Sequence, residues 1–181
     1  GLLGLEDQGV VITEAFSQWV VEDSFAGERP PLELAGVTLV DSVQHWESRK
    51  LRLLNAAHSA MAYLGGLAGL STVNEAVSTP QLQTFVQALW QETAATLAEE
   101  VPSEVSTYCD ALLLRFANPN LDHQLTQIAS DGSQKLPQRI LAPLAERLAS
   151  GQDAPHLTSI VAAWLHWQWG TTLNGQPVVS H

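Results

Sequence analysis

Apolar residues recur at helical spacing along most of this chain, and this periodicity constrains its fold more than any other feature. One stripe lies in the segment 81–97, which Pro80 would begin. A second lies in the segment 47–63, which would end near Gly65 and Gly66. Spacings of three and four residues place such side chains on one helix face, so a helical core is expected. The two stripes are Leu82, Phe85, Val86, Leu89, Trp90 and Leu97, and Leu53, Ala57, Met61 and Leu64.

The same periodicity predicts further helices in the second half of the chain. Asn118 and Pro119 would be the N-cap and the first residue of one of them. The run 37–40 is the only plausible strand, and it is too short to build a sheet. The predicted fold class is therefore all-α, as a single multi-helix domain over residues 1–181. The further helices are predicted over 103–116, 119–129, 136–148 and 157–169.

Length and composition allow one well-packed core and argue against several classes of protein. The 181 residues are 45% hydrophobic, and no signal peptide is visible. No run approaches the ~18 apolar residues of a membrane-spanning helix. The single cysteine, Cys109, cannot form an intrachain disulfide, and a net charge of −11 argues against a nucleic-acid surface. We therefore expect a cytoplasmic protein that binds neither membrane nor nucleic acid.

Four polar side chains share one face of the predicted helix 47–63. At about 100° per residue they fall within an arc of roughly 140°, beside the apolar stripe, as at the edge of a cleft. Arg49 and Arg52 point away from this arc and are expected to be solvated or paired with acids. The alternative is that the acid and the lysine form a surface ion pair while the amide and the imidazole are merely solvated. The four residues are Glu47, Lys50, Asn55 and His58.

Four blocks of sequence connect this face to a known family. Lys50, Asn55 and His58 form a K-x4-N-x2-H pattern, and this pattern and three further blocks lie between residues 13 and 139. These are TEAFSQWVVED at 13–23, RFANP at 115–119 and DGSQKLPQR at 131–139. In their order and spacing the blocks resemble those of the mannitol dehydrogenase family, the polyol-specific long-chain dehydrogenases. The first block departs from the family's pattern where Ala15 replaces a proline.

Within this family these sequence motifs are most similar to those of the fructuronate reductases, also called D-mannonate oxidoreductases. Lys135 and Gln127 match positions that hold the substrate, and mannitol dehydrogenases tend to carry an arginine at the place of Gln127. The resemblance implies an NAD-dependent secondary-alcohol dehydrogenase that interconverts D-mannonate and D-fructuronate. Mannitol 2-dehydrogenase and tagaturonate reductase are the alternatives, so the expected substrate is a sugar acid or a polyol.

The resemblance also implies catalytic roles for the residues of the polar face. Lys50 matches the family's general acid/base, and Asn55 matches an asparagine that donates a hydrogen bond to the developing alkoxide. His58 matches a histidine that positions the carbonyl, and Glu47 matches a glutamate that relays protons to solvent. A lysine can act as a base if its pKa falls from about 10.4 toward about 7 to 8 through burial or a nearby cation.

The cofactor half of such an enzyme has no counterpart in this sequence. The only glycine cluster lies at 65–70 and closes a predicted helix, whereas a dinucleotide loop would follow a strand and open one. The resemblance implies that NAD is bound mainly by an N-terminal Rossmann domain that is absent here, so no cofactor-binding residue is assigned and the isolated chain is expected to be inactive. No metal is expected, because the lysine replaces the zinc that polarises the alcohol in other dehydrogenases. His123, His156 and His166 have no Cys or carboxylate partners at metal-ligand spacing. A non-catalytic helical binding or assembly module is the alternative from another class.

Overall fold

The computed structural model describes Gly9, Glu14 and residues 16–97, 102–120 and 123–177. Thr13 and Ala15 of the first sequence block lie outside the described residues. The chain, which the sequence suggested as one domain, divides into two compact units, Gly1–Ser42 and Val43–His181. Most described residues are helical, which confirms the all-α fold class.

Two short parallel strands pair in the first unit. Strand β1 (Val20–Glu22) runs beside β2 (Thr38–Val40), and a turn of 3₁₀ helix, Leu32–Ala35, lies between them in sequence. The prediction that the run 37–40 could build no sheet was wrong. A partner of only three residues is too short to show the alternation that reveals a strand, so sequence reasoning missed it.

The second unit is built from helices. No helix among the described residues is long and apolar enough to cross a bilayer. The helices are α1 (44–67), α2 (Val73–Ser78), α3 (Pro80–Ala94), α4 (Pro102–Phe116), α5 (Leu125–Ala129), α6 (132–149) and α7 (Pro155–Trp167).

Helix α1 is central to this unit because it contributes to both of its hydrophobic clusters. Leu53, Ala57 and Met61 are fully buried against side chains of α2, α3, α4 and α5. Leu64, the last member of the predicted stripe, is only half-buried. A second row on α1 packs against α3, α5, α6 and α7. It consists of Ala56, Ala60, Ala62 and Tyr63.

Helix α1 ends later than its glycines suggested. Gly69 has a positive φ of 85°, and its N–H donates to the Gly66 carbonyl at 3.0 Å. The Leu70 N–H donates to the Gly65 carbonyl at 2.9 Å, which completes a Schellman motif. Gly66 serves packing instead, because a Cβ there would lie 2.5 Å from a ring atom of Trp167.

Asn118 and Pro119 do not begin a helix, which corrects the prediction. The Asn118 Oδ1 accepts a hydrogen bond from the Asn120 N–H at 3.0 Å, as in an Asx turn. Gln124 is extended, with ψ at 128°, and forms an antiparallel bridge with Thr72. Helix α5 starts only after this bridge. The dipeptide Asn-Pro suits a turn as well as a helix start, so its sequence could not decide between them.

Helix α2 was not predicted, although the sequence contains its capping box. The Thr72 Oγ1 accepts a hydrogen bond from the Glu75 N–H at 3.2 Å, and the Glu75 carboxylate accepts one from the Thr72 N–H at 3.2 Å. The pattern T-x-x-E is the usual signal for such a helix start. The helix places Thr72 beside Gln124, and so fixes the loop that leads into α5.

Candidate active site

Two π-helical turns interrupt α1, and the first carries part of the predicted site. The hydrogen bonding widens from i→i+4 to i→i+5 over Lys50–Asn55 and again over Met61–Gly65. Such a turn amounts to one residue inserted into an α-helix, so it rotates the following residues back by about 100°. Turns of this kind are frequent at functional sites.

This rotation narrows the polar face of α1. Lys50 and Asn55 stand at the two ends of the first π turn, and an uninterrupted α-helix would place them about 140° apart. With the inserted residue they lie about 40° apart, and His58 lies about 20° from Lys50 on the other side. Glu47, one turn before Lys50, completes an arc of roughly 80° where regular geometry gives about 140°.

The four side chains differ in exposure. Glu47 and Lys50 are exposed, whereas Asn55 and His58 are half-buried. Among the described residues, no hydrogen bond or ion pair engages the Lys50 ammonium, the Glu47 carboxylate or the Asn55 amide. The surface pair of Glu47 with Lys50 that the alternative interpretation required is therefore not formed, and these polar groups remain available to a ligand.

The other two cations of this segment are paired with acids, as expected. Arg52 forms a bidentate ion pair with Glu146 of α6, with nitrogen–oxygen distances of 2.5 and 2.7 Å. Arg49 reaches Glu104 of α4 at 3.4 Å. Lys50 is thus the cation of this segment that has no acidic partner in the described part of the chain.

Two other rings lie beside the His58 ring. The ring of Phe116, at the end of α4, lies 4.8 Å away between centroids at an interplanar angle of 42°. The ring of His123 lies 6.4 Å away and meets it edge-on at 86°. These two neighbouring rings restrict the rotation of the His58 imidazole, which an orienting residue requires.

The residues that follow His123 in the chain line a pocket. Its volume is about 430 Å³. Gln127 is exposed in it, and the Ser130 hydroxyl donates to the Gln127 carbonyl at 2.7 Å. The lining side chains carry amides and hydroxyls and no charge, a surface suited to hydroxyl groups of a ligand. They belong to Gln124, Thr126, Gln127 and Ser130.

Lys135 joins this pocket through Ser130. Its ammonium donates to the Ser130 Oγ at 3.3 Å and to the Ile128 carbonyl at 3.4 Å. The structure therefore brings Lys135 and Gln127 to one place. The π-helical turn Pro137–Leu141 of α6, which follows Lys135, packs against Lys50–Asn55 of α1. No hydrogen bond between described residues joins Lys135 or Gln127 directly to the polar face of α1.

Tyr63 is buried and Arg139 is half-buried, and sequence reasoning assigned a role to neither. The Tyr63 hydroxyl donates to the Ala129 carbonyl at 3.0 Å, and burial raises the pKa of Tyr63 to about 12. Burial lowers the pKa of Arg139, whose Nε has no hydrogen-bond partner among the described residues. Tyr63 therefore serves the packing of α1 against α5.

Metal-ligating side chains and the glycines at 65 and 66 are the groups that bear on a metal or phosphate site. They contain no group of three or more His, Cys, Asp or Glu side chains that could hold a metal ion. Gly65 and Gly66 lie inside α1 and pack against Leu125 and Trp167, so they present no loop to a phosphate.

Comparisons with known sequences point to one family. The family model for the mannitol dehydrogenase C-terminal domain matches residues 42–181. Mannitol 2-dehydrogenase of Phaeosphaeria nodorum is 42% identical over 177 residues, which cover 96% of this chain and 31% of that protein. D-mannonate oxidoreductase of Escherichia coli is 40% identical over 177 residues, which cover 97% of this chain and 36% of that protein.

Solved structures agree with these sequence comparisons. The mannitol 2-dehydrogenase of Pseudomonas fluorescens, in a ternary complex with NAD and D-mannitol, superposes with a TM-score of 0.85 at 33% identity. The match covers 91% of this chain and 34% of that one. A D-sorbitol dehydrogenase in substrate-free form gives a TM-score of 0.82 at 32% identity. The chain spans about a third of the length of the proteins it resembles.

Proposed function

The chain belongs to the mannitol dehydrogenase family, and on that premise we propose that it is the substrate and catalytic domain of an NAD-dependent oxidoreductase. The proposed reaction interconverts D-mannonate and D-fructuronate by hydride transfer. The observation that carries the proposal is the polar face of α1, on which the first π turn gathers Lys50, Asn55 and His58. Residues 1–181 would form one C-terminal domain of a longer protein.

Lys50 would move the proton of the reacting hydroxyl. In the oxidative direction its neutral amine takes the hydroxyl proton while hydride leaves the carbon, and in the reductive direction its ammonium donates a proton to the ketone oxygen. Lys50 is exposed in this chain, so its ammonium is accessible to a substrate.

Asn55 and His58 would bind the oxygen that changes its charge. The Asn55 amide has no other hydrogen-bond partner among the described residues, so it can donate to the developing alkoxide without losing a bond. The His58 ring, restrained by Phe116 and His123, would fix the direction of the carbonyl. Glu47 is exposed on the same face and would pass protons between Lys50 and solvent.

NAD, when bound, supplies the acceptor or donor of the hydride. We propose that the cofactor is held mainly by an N-terminal domain of the longer protein, as the family resemblance implies. The Pseudomonas fluorescens enzyme, whose structure contains NAD, is matched over only 34% of its length, which leaves room for such a domain.

The identity of the substrate depends on the pocket beside Gln127. Its lining is uncharged, and Lys135 at its edge is the nearest group that could pair with a carboxylate. An amide at position 127, where mannitol dehydrogenases tend to have arginine, supports a sugar acid. Mannitol 2-dehydrogenase is the second candidate because relatives of that name reach 43% identity, close to the 40% of the D-mannonate oxidoreductase. Tagaturonate reductase is a further candidate, and a non-catalytic helical module is the alternative from another class.

A substrate series on the complete protein that contains this chain would test the proposal. With NADH as the reductant, we expect kcat/KM to be higher for fructuronate than for tagaturonate or fructose. A preference for fructose over both uronates would reassign the protein to the mannitol 2-dehydrogenases. Absence of turnover with all three, in protein shown to bind NADH, would contradict the proposed activity.

A further inference from the structure

We propose that His123 is a further substrate-binding residue, which hydrogen-bonds a hydroxyl group on the part of the substrate chain beyond the reacting carbon. The proposal rests on the proposed function and deepens it, because it adds a residue that determines specificity to the site on α1. It rests on two neighbours of His123: its ring lies beside that of His58, and the next residue, Gln124, lines the pocket.

The first observation is distance. The His123 and His58 rings lie 6.4 Å apart between centroids, with an interplanar angle of 86°. A six-carbon substrate whose carbonyl is oriented by His58 extends over several ångströms, so its chain can reach His123. Gln124, the next residue, already lines the pocket of about 430 Å³. His123 therefore adjoins the His58 ring on one hand and, through Gln124, the pocket on the other.

The second observation is a fixed backbone. The His123 carbonyl accepts a hydrogen bond from the Val73 N–H at 3.0 Å, and the Leu125 N–H donates to the Ser71 carbonyl at 2.8 Å. Gln124 between them forms a bridge with Thr72. The capped start of α2 thus anchors the His123 backbone, although its side chain is exposed. A side chain on a fixed backbone loses less conformational entropy when it binds a ligand.

The third observation is that the His123 ring has no internal hydrogen-bonding role. Its side chain is exposed, and within the described ranges no hydrogen bond engages either ring nitrogen. A neutral imidazole has one donor and one acceptor nitrogen, which match a hydroxyl group that also donates and accepts. The neighbouring amides and hydroxyls of the pocket have the same character. The chemical class that fits this surface is therefore a polyhydroxylated chain.

Two substitutions at position 123 separate hydrogen bonding from ring packing. In the complete protein, His123→Phe keeps an aromatic ring beside His58 but removes both nitrogens, whereas His123→Asn keeps a donor and an acceptor without the ring. Loss of one hydrogen bond to substrate is worth about 1.4 kcal/mol, or about tenfold. We expect His123→Phe to raise the substrate KM about tenfold with kcat and the KM for NADH little changed, and His123→Asn to recover most of that loss. His166→Phe, on α7, is the matched control and should leave both constants unchanged.

Monodeoxy substrates make the test specific. In a series of analogues that each lack one hydroxyl, one analogue should have the same KM with His123→Phe as with the unsubstituted protein. That analogue lacks the hydroxyl that His123 contacts, so loss of the imidazole does not weaken its binding further. If His123→Phe has the normal KM, or if His123→Asn is the more impaired variant, His123 acts only by packing and the inference is overturned. Failure of the unsubstituted protein to turn over any uronate, ketose or polyol would instead overturn the proposed function. The two failures are therefore distinguishable.

Discussion

The guanidinium of Arg52 and the carboxylate of Glu146 face each other in a bidentate ion pair, with nitrogen–oxygen distances of 2.5 and 2.7 Å. This pair joins the first π turn of α1 to the C-terminal part of α6. Arg52 also donates to the Thr96 carbonyl at 2.7 Å. The helix that carries Lys50 is therefore tied to the helix that carries Lys135.

Breaking this pair should lower stability modestly. Glu146 is partly exposed, so Glu146→Gln is expected to reduce the free energy of unfolding by about 1 kcal/mol, and less at high salt because ions screen the pair. Urea unfolding of the complete protein at low and high ionic strength would measure this. Glu33→Gln, which breaks an exposed pair with Arg29, is the comparison. An effect of Glu146→Gln that does not depend on salt would show that the ion pair is not its cause.

Glu92 should matter more for stability than any exposed acid. It is 6% exposed, and its carboxylate accepts hydrogen bonds from the N–H groups of His156 and Leu157, each at 2.9 Å, at the start of α7. Its Oε1 also lies 2.6 Å from the His156 Nδ1. Glu92→Ala leaves these donors unsatisfied and is expected to cost about 3 kcal/mol in unfolding free energy.

Glu92→Gln keeps one oxygen acceptor and should cost less than the alanine variant. Thermal or denaturant unfolding of both variants would measure the difference. Equal stability of Glu92→Ala and the unsubstituted protein would show that α7 does not depend on this carboxylate.

Tyr63 should make the protein sensitive to alkali. Its pKa is raised to about 12 by burial, whereas a tyrosine in the unfolded chain ionises near about 10. A raised pKa in the folded state means that the stabilisation is complete below about pH 10 and is lost as pH rises toward about 12. Tyr63→Phe removes this ionisation, so its stability should fall less steeply over that range. Parallel slopes for the two proteins in pH-dependent unfolding would contradict the assignment to Tyr63.

Much of the fold could be predicted because its signals are local. The stripe of Leu53, Ala57 and Met61 is buried as its spacing indicated, and Arg49 and Arg52 are paired with acids. The π turn at Lys50–Asn55 could not be predicted, since the same residues also suit a regular helix. Its consequence is a polar face narrower than regular periodicity gives.

Long-range contacts explain most of what sequence reasoning missed in the site. Glu92 is buried only because α7 brings the N–H groups of His156 and Leu157 to it, and no local pattern records that approach. His123 has no metal-ligand spacing in the sequence. Its proposed role follows from the position of its ring beside that of His58 on α1. A contact between side chains of two distant segments cannot be predicted from the sequence pattern of either segment alone.

Gln127 should control substrate preference more than the chemical step. It is exposed in the pocket whose edge is reached by Lys135, and it transfers no proton in the proposed reaction. We expect Gln127→Arg to lower kcat/KM for fructuronate and to raise it for fructose. The kcat with the preferred substrate should change little. Gln124→Arg places the same charge elsewhere in the pocket as a control. An equal loss with every substrate from Gln127→Arg alone would contradict a role in specificity.

Replacement of Lys50 tests the central claim most directly. In the complete protein, Lys50→Ala should lower kcat with fructuronate by about 10²- to 10⁴-fold, the usual contribution of a general acid/base, and leave the KM for NADH nearly unchanged. Arg49→Ala removes the neighbouring cation, which pairs with Glu104 instead of facing the site, and should retain most activity. Steady-state kinetics of the three proteins would decide. A Lys50→Ala enzyme with full kcat would remove the lysine from the mechanism and contradict the account.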